Sequence, residues 1–485
     1  MRSVLVSPPR TGRGTSSYGN RLLIAGLAAF VIAFGGWLAF LAMHMEDWTL
    51  NMVDLSVYRA GGMIVRHVSR EVTSQGVFRY YNPHLSPSPL YGWTRSGGPD
   101  SLAFTYTPFA AVVFAPISFL SMNAATVADT IVNFLALLAV IWFTLGGLGC
   151  TDRKVKTGAT LLGSAVAIWT EPVFRDIFLG QINIILMAAV LWDLCQPDAR
   201  RNKGFVTGIA AGIKLIPLIF IPYLILTRKF RQAAMVVAGF AFTVVVGFAV
   251  IPKDSSKYWF SGLFYQGGRT GFTGWLGNQS LDGLITRLAG SIDAAKPYYA
   301  LAGFVVLVTG ICAAALLYRA GHLLPALLLT ELTGDLISPI SWDHHWVWVA
   351  PAMVVAGYYA WRAWQHGLKS RAYAFAGSAI AIFAVFAAVP GTWYGMHMWE
   401  IVHSPTNISG QLFYWGWIWS APNSNPFTTY YLYGDQPWYV EYHWHGLQLL
   451  AGNAYVLGGL LAFGGLVLAA TIPAWRARTR PSPAS

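Results

Sequence analysis

The sequence predicts an all-α polytopic membrane protein, on the strength of its composition and its repeated apolar runs. Of its 485 residues, 55% are hydrophobic and only 11% are charged, whereas about a quarter of the residues in a soluble domain are charged. Apolar runs of about twenty residues, enough to cross a bilayer as a helix, recur from one end of the chain to the other. We therefore expect one membrane domain with inserted loops rather than several soluble domains.

The basic residues indicate the orientation of the chain. The net charge is +12, from 32 basic and 20 acidic residues, and the Lys and Arg cluster in short loops as the positive-inside rule expects. Because this clustering accounts for the charge, we expect no nucleic-acid partner. We expect a disordered cytoplasmic tail over residues 1–20, a transmembrane catalytic domain over 21–475 and a second cytoplasmic tail over 476–485. Both termini would then lie on the cytoplasmic side of the plasma membrane.

Ten apolar runs are predicted to be full spans and two to be partial ones, about 10–12 transmembrane helices in all. Residues 105–121 contain two prolines and are expected to be re-entrant or interfacial, because a crossing there would expose Arg153-Lys-Val-Lys156 outside. Residues 204–226 have basic flanks on both sides, which favours a hairpin that does not cross; a broken span is the alternative. The full spans are 22–43, 126–148, 157–174, 181–195, 233–252, 298–318, 322–340, 345–361, 372–390 and 452–473. The large outer loops are about 44–104, 253–297 and 391–450.

Asp54 is the first candidate catalytic residue. It lies in Asn51-Met-Val-Asp-Leu-Ser-Val-Tyr-Arg-Ala-Gly-Gly62, which closely follows the first span. An aspartate beside a membrane-facing cleft can take a proton from a hydroxyl group. The alternative is that Asp54 caps a short interfacial helix over 53–65 and pairs with Arg59.

The predicted topology collects further ionisable and polar groups on the same outer side as Asp54. Charged groups near a membrane are costly and usually functional, so we expect the chemistry to lie on this face. The groups are Glu171, Asp176, Asn278, Asp343, His344 and His345.

Ser338-Pro-Ile-Ser-Trp-Asp-His-His-Trp346 carries the second candidate site. Adjacent histidines on a helix point about 100° apart, so they rarely bind one metal together. We interpret His344 or His345 as facing a phosphate leaving group, with Asp343 beside them. The alternative is a polar helix cap between two interfacial tryptophans.

Two further motifs combine basic and amide side chains. Gly180-Gln-Ile-Asn183 follows Arg175, which could hold a phosphate through paired hydrogen bonds; the alternative is a polar loop between two spans. Lys214 lies in Gly212-Ile-Lys-Leu-Ile-Pro217. A lysine within an apolar run is rare and often functional, unless its charge reaches back to the cytoplasmic interface.

Two loops leave their roles open. Gly277-Asn-Gln-Ser-Leu281 is a polar turn before a possible amphipathic helix that carries Arg287, with an ordinary surface loop as the alternative. The loop 391–450 is crowded with aromatic residues and histidines, which predicts either a carbohydrate-binding lid or an interfacial belt. Its examples are Trp415, Trp417, Trp419, Trp438, Tyr439, His443, Trp444 and His445.

Missing motifs narrow the function further. The sequence has no P-loop, dinucleotide fingerprint, HExxH or CxxC, and Cys150, Cys195 and Cys312 are its only cysteines. No cofactor and no metal are therefore expected. A transporter or flippase of lipid-linked sugars would show internal repeats and polar groups near the bilayer midplane, and a non-catalytic scaffold would not need its acids and histidines on one face.

Six motifs occur in an order that resembles a known family. They are Val53-Asp-Leu-Ser-Val-Tyr58, Tyr106-Thr-Pro-Phe109, Gly180-Gln-Ile-Asn183, Gly212-Ile-Lys-Leu-Ile-Pro217, Asn278-Gln-Ser280 and Ser338-Pro-Ile-Ser-Trp-Asp-His-His345. Over about residues 20 to 361 the chain resembles the actinobacterial polyprenol-phosphate-mannose-dependent α-(1→2)-mannosyltransferases, which form glycosyltransferase family 87 and have the GT-C membrane fold.

The resemblance implies an inverting transfer of mannose from polyprenyl-phosphate-mannose to a mannose hydroxyl of a lipid-anchored glycan. The acceptor would be a phosphatidylinositol mannoside, lipomannan or lipoarabinomannan. By this resemblance Asp54 is the general base, and His344 or His345 meets the donor phosphate. The expected substrate-binding residues are Arg59, Tyr106, Arg175, Gln181, Asn183, Lys214, Asn278, Gln279 and Asp343. The alternative is an arabinofuranosyltransferase of the same fold, but Glu46-Asp47 matches the paired acids of that group poorly.

Overall fold

The computed structural model describes residues 15–43, 52–66, 89–92, 103–265, 269, 271–388, 418 and 440–472. These parts of the chain are built from helices joined by short turns, with isolated β-bridges between loops. The predicted all-α fold class is confirmed.

Nineteen α-helices make up the described architecture, numbered here in chain order. The first nine are α1 Thr15–Met43, α2 Val53–Val65, α3 Pro89–Gly92, α4 Pro108–Phe114, α5 Met122–Gly147, α6 Arg153–Ala167, α7 Glu171–Leu179, α8 Asn183–Leu194 and α9 Phe205–Ile213. The others are α10 Phe220–Leu226, α11 Phe230–Val250, α12 Pro252–Phe260, α13 Leu281–Ala289, α14 Ile292–Arg319, α15 Leu323–Ile337, α16 Val349–Gln365, α17 Lys369–Phe386, α18 Gly446–Gly452 and α19 Ala454–Thr471. Short 3₁₀ helices at Pro116–Phe119, Ile216–Ile219, Leu263–Tyr265, Asp343–Trp348 and Val440–His443 lie between them.

Five of the described helices are long and apolar enough to cross a membrane, and α7 with α8 adds a sixth if that bent pair is counted as one span. The five are Ser17–Ala39 within α1, and α5, α11, α14 and α19. A chain with this many apolar helices is a multi-pass membrane protein. The remaining predicted spans are helical too, and most of them are shorter or broken.

The predicted continuous span over 157–174 is wrong. Helix α6 ends at Ala167, and α7 starts again at Glu171 with Pro172 in its first turn. Proline has no backbone N–H and its ring collides with the preceding turn, so it opens a helix but does not continue one. Helix α1 begins at Thr15, within the stretch that was predicted to be a cytoplasmic tail.

Residues 204–226 form a hairpin, as the basic flanks predicted. Helix α9 ends at Lys214, whose backbone is extended, and Pro217 lies in the following 3₁₀ turn. The two ends of this segment meet at one carboxylate: Lys203 and Lys229 bind Asp198 Oδ1 and Oδ2 at 2.9 and 2.5 Å. Lys214 therefore lies at the tip of the hairpin, away from the basic flanks.

Small residues seat this hairpin tightly against α11. A Cβ atom at Gly208 would collide with the carbonyl oxygen of Val236, and one at Gly239 with the carbonyl of Phe205. Glycine at such crossings lets helix backbones approach closely. This packing holds the position of Lys214 relative to the rest of the helical bundle.

Candidate active site

A sharp bend between α7 and α8 forms one wall of the site. The two helices meet at 114°, and Gly180 closes α7 with a φ of 69°, which only glycine adopts readily. The N–H of Gln181 donates to the carbonyl of Asp176 at 2.8 Å, the bond of a Schellman cap. A Cβ atom at Gly180 would lie 2.5 Å from Cβ of Leu55, so the bend packs directly on the first turn of α2, next to Asp54.

Gln181 connects Asp54 to a pair of tyrosines. Its Oε1 accepts hydrogen bonds from the hydroxyls of Tyr58 and Tyr106 at 2.6 and 3.1 Å, and the two hydroxyls lie 2.5 Å apart. Because Oε1 is occupied, the amide NH₂ is the part that can hydrogen-bond the Asp54 carboxylate. Tyr106 in turn is placed by Thr107, which caps α4 and donates to the carbonyl of Gly212.

Asp54 is a partly exposed carboxylate in a low-dielectric setting. Burial raises its pKa above the ordinary value, while electrostatic interactions with His344, Lys214 and Arg175 and the Gln181 hydrogen bond pull it back. Asp54 therefore lies near Gln181, His344, Lys214 and Arg175. Arg59 is not among them: its Nε donates to the carbonyl of Leu120 at 2.9 Å, so the alternative pairing of Asp54 with Arg59 is wrong.

Lys214 is the centre of a second set of contacts, which we call the cleft cluster: Asn183, Lys214 and His345. Lys214 Nζ donates to Asn183 Oδ1 at 2.6 Å and to His345 Nε2 at 2.9 Å. An ammonium group has no acceptor, so His345 must accept at Nε2 and carry its proton on Nδ1. Lys214 reaches the other predicted site residues, and the alternative in which it returns to the cytoplasmic interface is wrong.

Asn183 links this cluster to the bend. Its Nδ2 donates to Asp176 Oδ1 at 2.6 Å and to the carbonyl of His344 at 3.2 Å. Asp176 also accepts from the N–H of Ile184 at 3.3 Å, which satisfies a free donor at the start of α8. Asp176 therefore positions Asn183, and through it Lys214 and the turn Asp343–Trp348, which we call the histidine turn.

Arg175 and the turn Asp343–Trp348 form the third part of the site. Arg175 Nε lies 2.5 Å from Asp343 Oδ2 and 3.4 Å from Glu171 Oε1. The other carboxylate oxygen of Asp343, Oδ1, lies 3.4 Å from Nδ1 of His344. His344 Nε2 and His345 Nδ1 are both buried with no hydrogen-bond partner in the described part of the chain. These two nitrogens are therefore available to a ligand.

Asn278 and Gln279 hold loops together, and we call them the buckle. Asn278 Nδ2 donates to the carbonyls of Thr273 and Pro339 at 2.9 and 3.1 Å, and its Oδ1 accepts from the N–H of Ser341 at 2.9 Å. Gln279 Nε2 donates to the carbonyls of Leu276 and Gly452 at 2.5 and 2.8 Å. Both residues have no exposed surface. Their amides are occupied by the backbone, which gives both residues a structural role, and their part in binding substrate stays a prediction.

The buckle acts on the site through the backbone of the histidine turn. The N–H of Asp343 donates to the carbonyl of Gly277 at 2.9 Å, and that of Gln279 to the carbonyl of Ser341 at 2.7 Å. Motifs that lie more than sixty residues apart in sequence are thereby joined at Asp343. The structure thus brings together Asp54, Tyr106, Arg175, Gln181, Asn183, Lys214, Asp343, His344 and His345.

Sequence reasoning missed Tyr58, Glu331 and Asp335 as members of the site. Tyr58 lies inside a motif that it had singled out, and the two acids lie in α15, a predicted span. An acid inside an apolar run is the signal that could have found them. Most of the aromatic loop 391–450, including Trp415, Trp417, Trp419, Trp438 and Tyr439, lies outside the described residues, as does Glu46-Asp47.

Within the described residues, no group of three or more His, Cys, Asp or Glu side chains is placed to hold a metal ion. The basic groups Lys214 and Arg175 and the free nitrogens of His344 and His345 suit a phosphate instead. Next to them stands Asp54, a carboxylate whose pKa is raised. A base beside a phosphate-binding set is the chemistry of a transferase that acts on a phosphate-activated substrate.

Comparison with known proteins agrees with this class. Residues 104–339 match glycosyltransferase family 87. A Mycobacterium tuberculosis protein named polyprenol-phosphate-mannose-dependent α-(1-2)-phosphatidylinositol mannoside mannosyltransferase is 34% identical over 70% of this chain and 76% of its own length. A second M. tuberculosis protein, with the same name except for a phosphatidylinositol pentamannoside acceptor, is also 34% identical, over 72% and 75%.

A Mycolicibacterium smegmatis relative that shares the first of these names is 28% identical over 70% of this chain and 76% of its own. No solved structure matches the chain. The fold and its site define a polytopic membrane glycosyltransferase. The chain belongs to glycosyltransferase family 87.

Proposed function

We propose that this enzyme moves mannose from polyprenyl-phosphate-mannose to a mannose hydroxyl of a phosphatidylinositol mannoside, in α-(1→2) linkage and with inversion. The relatives' names supply the donor, the linkage and the acceptor class. One observation carries the assignment to this chain: the α7–α8 bend, which lies next to Arg175 and holds Lys214 through Asn183, packs on the first turn of α2 beside Asp54. This arrangement puts a proton acceptor next to groups that bind a leaving phosphate.

The basic side chains bind the phosphate group of the donor and stabilise it as it leaves. Lys214 offers a compact positive charge, while Arg175 offers a planar fork of N–H donors. His345 donates from Nδ1, since Lys214 occupies its Nε2. Fixed donors of this kind stabilise the charge that builds up on a departing phosphate without further reorganisation.

Asp54 performs the other half of the displacement. It takes the proton of the acceptor hydroxyl as the hydroxyl oxygen bonds to the anomeric carbon and the bond from that carbon to the phosphate oxygen breaks. Polyprenyl phosphate leaves with the electron pair of the broken bond. One displacement with one base and no covalent intermediate inverts the anomeric centre.

The site belongs to the outer side of the plasma membrane, and both termini to the cytoplasmic side. The basic groups gathered at the ends of the α9–α10 hairpin support this orientation, because cytoplasmic loops are rich in Lys and Arg. Lys203, Lys229 and Arg231 all bind Asp198 there. Lys214 at the hairpin tip lies toward the opposite face, where lipid-linked donor and acceptor reach the site without leaving the bilayer.

The reaction runs without a metal ion. Lys214, Arg175 and the two histidines supply the positive charge and donors that the phosphate needs. Incubating purified enzyme with EDTA should leave mannose transfer unchanged within about twofold, whereas a metal-assisted displacement would lose most of its rate. Rate recovery on adding back Mg²⁺ or Mn²⁺ after EDTA would contradict this proposal.

The test of the function is transfer of labelled mannose from polyprenyl-phosphate-mannose by the enzyme reconstituted in liposomes. Phosphatidylinositol mannosides of different lengths serve as acceptors, and a polyprenyl-phosphate-arabinose donor is the comparison. We expect an α-(1→2)-linked mannose product and no arabinose product. An arabinosylated product, or movement of the donor across the bilayer with no transfer, would overturn the assignment.

A further inference from the structure

A narrow cleft opens beside the cleft cluster and has no role in the mechanism so far. Lys214 and His345 line it, together with apolar side chains of α8 such as Met187. Its lining also includes two carboxylates, Glu331 and Asp335. They are one turn apart on α15, so they face the same way.

The hydrogen-bonding capacity of these two carboxylates is largely unused. Only 5% of Glu331 and 2% of Asp335 is exposed. Glu331 Oε2 has no partner in the described part of the chain, and Asp335 Oδ1 receives only Ser341 Oγ at 3.4 Å. Lys214 is close enough for its charge to act on both, but its hydrogen bonds go to Asn183 and His345.

Buried carboxylates without donors are costly, so their presence in a cleft indicates an occupant that supplies O–H or N–H groups. An isoprenoid chain would supply none and would leave both acids buried against hydrocarbon. A sugar ring supplies several hydroxyl donors, and its C–H faces pack on apolar and aromatic walls. Met187, Val347 and Trp348 line the same cleft.

We propose that Glu331 and Asp335 form a hexose subsite, in which the two carboxylates accept hydrogen bonds from hydroxyl groups of a mannosyl ring. The inference rests on the proposed function, since Lys214, which lines the same cleft, is the group that binds the phosphate. The ring is either the mannose attached to that phosphate or the terminal mannose of the acceptor. Both present the same hydroxyls, and kinetics separates them.

The kinetic test compares Glu331→Gln and Asp335→Asn with the wild type, using donors and acceptors that lack single mannose hydroxyls. Thr330→Val is the matched control, because Thr330 is buried on the same helix and bonds only the carbonyl of Ala326 in its own helix. We expect each carboxylate variant to lower kcat/KM about 10- to 100-fold. Removing the hydroxyl that a carboxylate binds should then lower kcat/KM in the wild type and in Thr330→Val. The same removal should have no further effect in the carboxylate variant.

This loss of sensitivity identifies the source of the ring. If it occurs with deoxy donors, the subsite holds the transferred mannose, and if it occurs with deoxy acceptors, it holds the acceptor mannose. Wild-type kinetics in a folded Glu331→Gln and a folded Asp335→Asn would overturn the subsite. The subsite would also be overturned if the loss of kcat/KM caused by a carboxylate substitution added independently to the loss caused by removing any one hydroxyl. The acids would then act only through the charge of Lys214.

A binding measurement separates failure of the subsite from failure of the function. Saturation-transfer NMR with methyl α-D-mannopyranoside should show contact with the wild type and with Thr330→Val, and much weaker contact with Glu331→Gln. If the wild type binds this sugar through Glu331 but transfers no mannose, the proposed reaction fails and the subsite stands. If mannose transfer is intact and binding does not depend on either carboxylate, the reaction stands and the subsite fails. Should Glu331→Gln not fold, Asp335→Asn answers both measurements alone.

Discussion

The cleft cluster and the buckle are two polar regions that use their hydrogen-bonding capacity in opposite ways. In the buckle, the amides of Asn278 and Gln279 bond backbone carbonyls and N–H groups of loops from across the chain. In the cleft cluster, Lys214 donates to both Asn183 and His345, and His345 Nδ1 remains without a partner among the described residues. The hydrogen-bonding groups of the buckle hold loops together, whereas the cleft cluster keeps one such group free.

This difference separates a structural polar motif from a binding one. A buried polar group costs free energy unless it is paired, so a fold that leaves such groups unpaired gains nothing in stability from them. Groups left free in the cleft cluster are therefore expected to affect turnover, whereas groups in the buckle are expected to affect stability. The predictions below test that division, from the largest effect on turnover to the smallest.

Removing the base should have the largest effect. Asp54→Asn keeps the size of the side chain and its contact with Gln181 but cannot take a proton, so kcat should fall about 10²- to 10⁴-fold. Labelled-mannose transfer in liposomes measures this, with thermal unfolding to confirm the fold. Asp254→Asn is the matched control, since that buried aspartate bonds the N–H of Leu90 elsewhere in the chain. Equal activity of Asp54→Asn and the wild type would exclude Asp54 as the base.

Lys214→Met tests the cleft cluster itself. Methionine keeps much of the apolar stem but removes the charge that faces Asn183 and His345. We expect kcat/KM for the donor to fall about 100-fold, because a donor to a developing phosphate charge is worth several kcal/mol. Asn183 Oδ1 and His345 Nε2 lose a donor, but a desolvated charge is removed as well, so the melting temperature in detergent should fall less than that of Gln279→Leu. A protein that melts much earlier but keeps its turnover would place Lys214 with the buckle.

The pH dependence of turnover tests whether the charge of Lys214, in the cleft cluster, acts on the base Asp54. Burial raises the pKa of Asp54, and only the deprotonated carboxylate acts as base. The acid limb of kcat/KM should therefore start above the pKa of about 3.9 of an ordinary aspartate and fall tenfold per pH unit below the raised value. Lys214→Met removes a charge that lowers this pKa, so the limb should move to higher pH. A limb that stays fixed in Lys214→Met would show that it reports another group.

The sequence was sufficient for the fold class and for naming most of the residues that the structure brings together, but not for the contacts of the amides. Apolar runs and the order of six motifs predicted the helices and brought Asp54, Lys214 and the histidine turn into one hypothesis. The amides of the buckle could not be assigned, because Gln279 bonds Gly452 and Val456, 173 and 177 residues further along the chain. Glu331 and Asp335 were overlooked because they lie in a predicted span, although acids in an apolar helix are themselves a signal of function.

The buckle should show the smallest effect on turnover and a clear effect on stability. Gln279→Leu keeps the volume of the side chain but leaves the carbonyl of Gly452 and the N–H of Val456 without their bonds. Each orphaned buried group costs about 1–3 kcal/mol, so thermal unfolding in detergent should begin at a lower temperature. Below that temperature, the rate per folded molecule should stay within about twofold of the wild type, because only backbone partners are lost. A rate loss as large as that of Lys214→Met, with an unchanged melting temperature, would mean that Gln279 binds substrate after all and that bonded amides are no guide to a structural role.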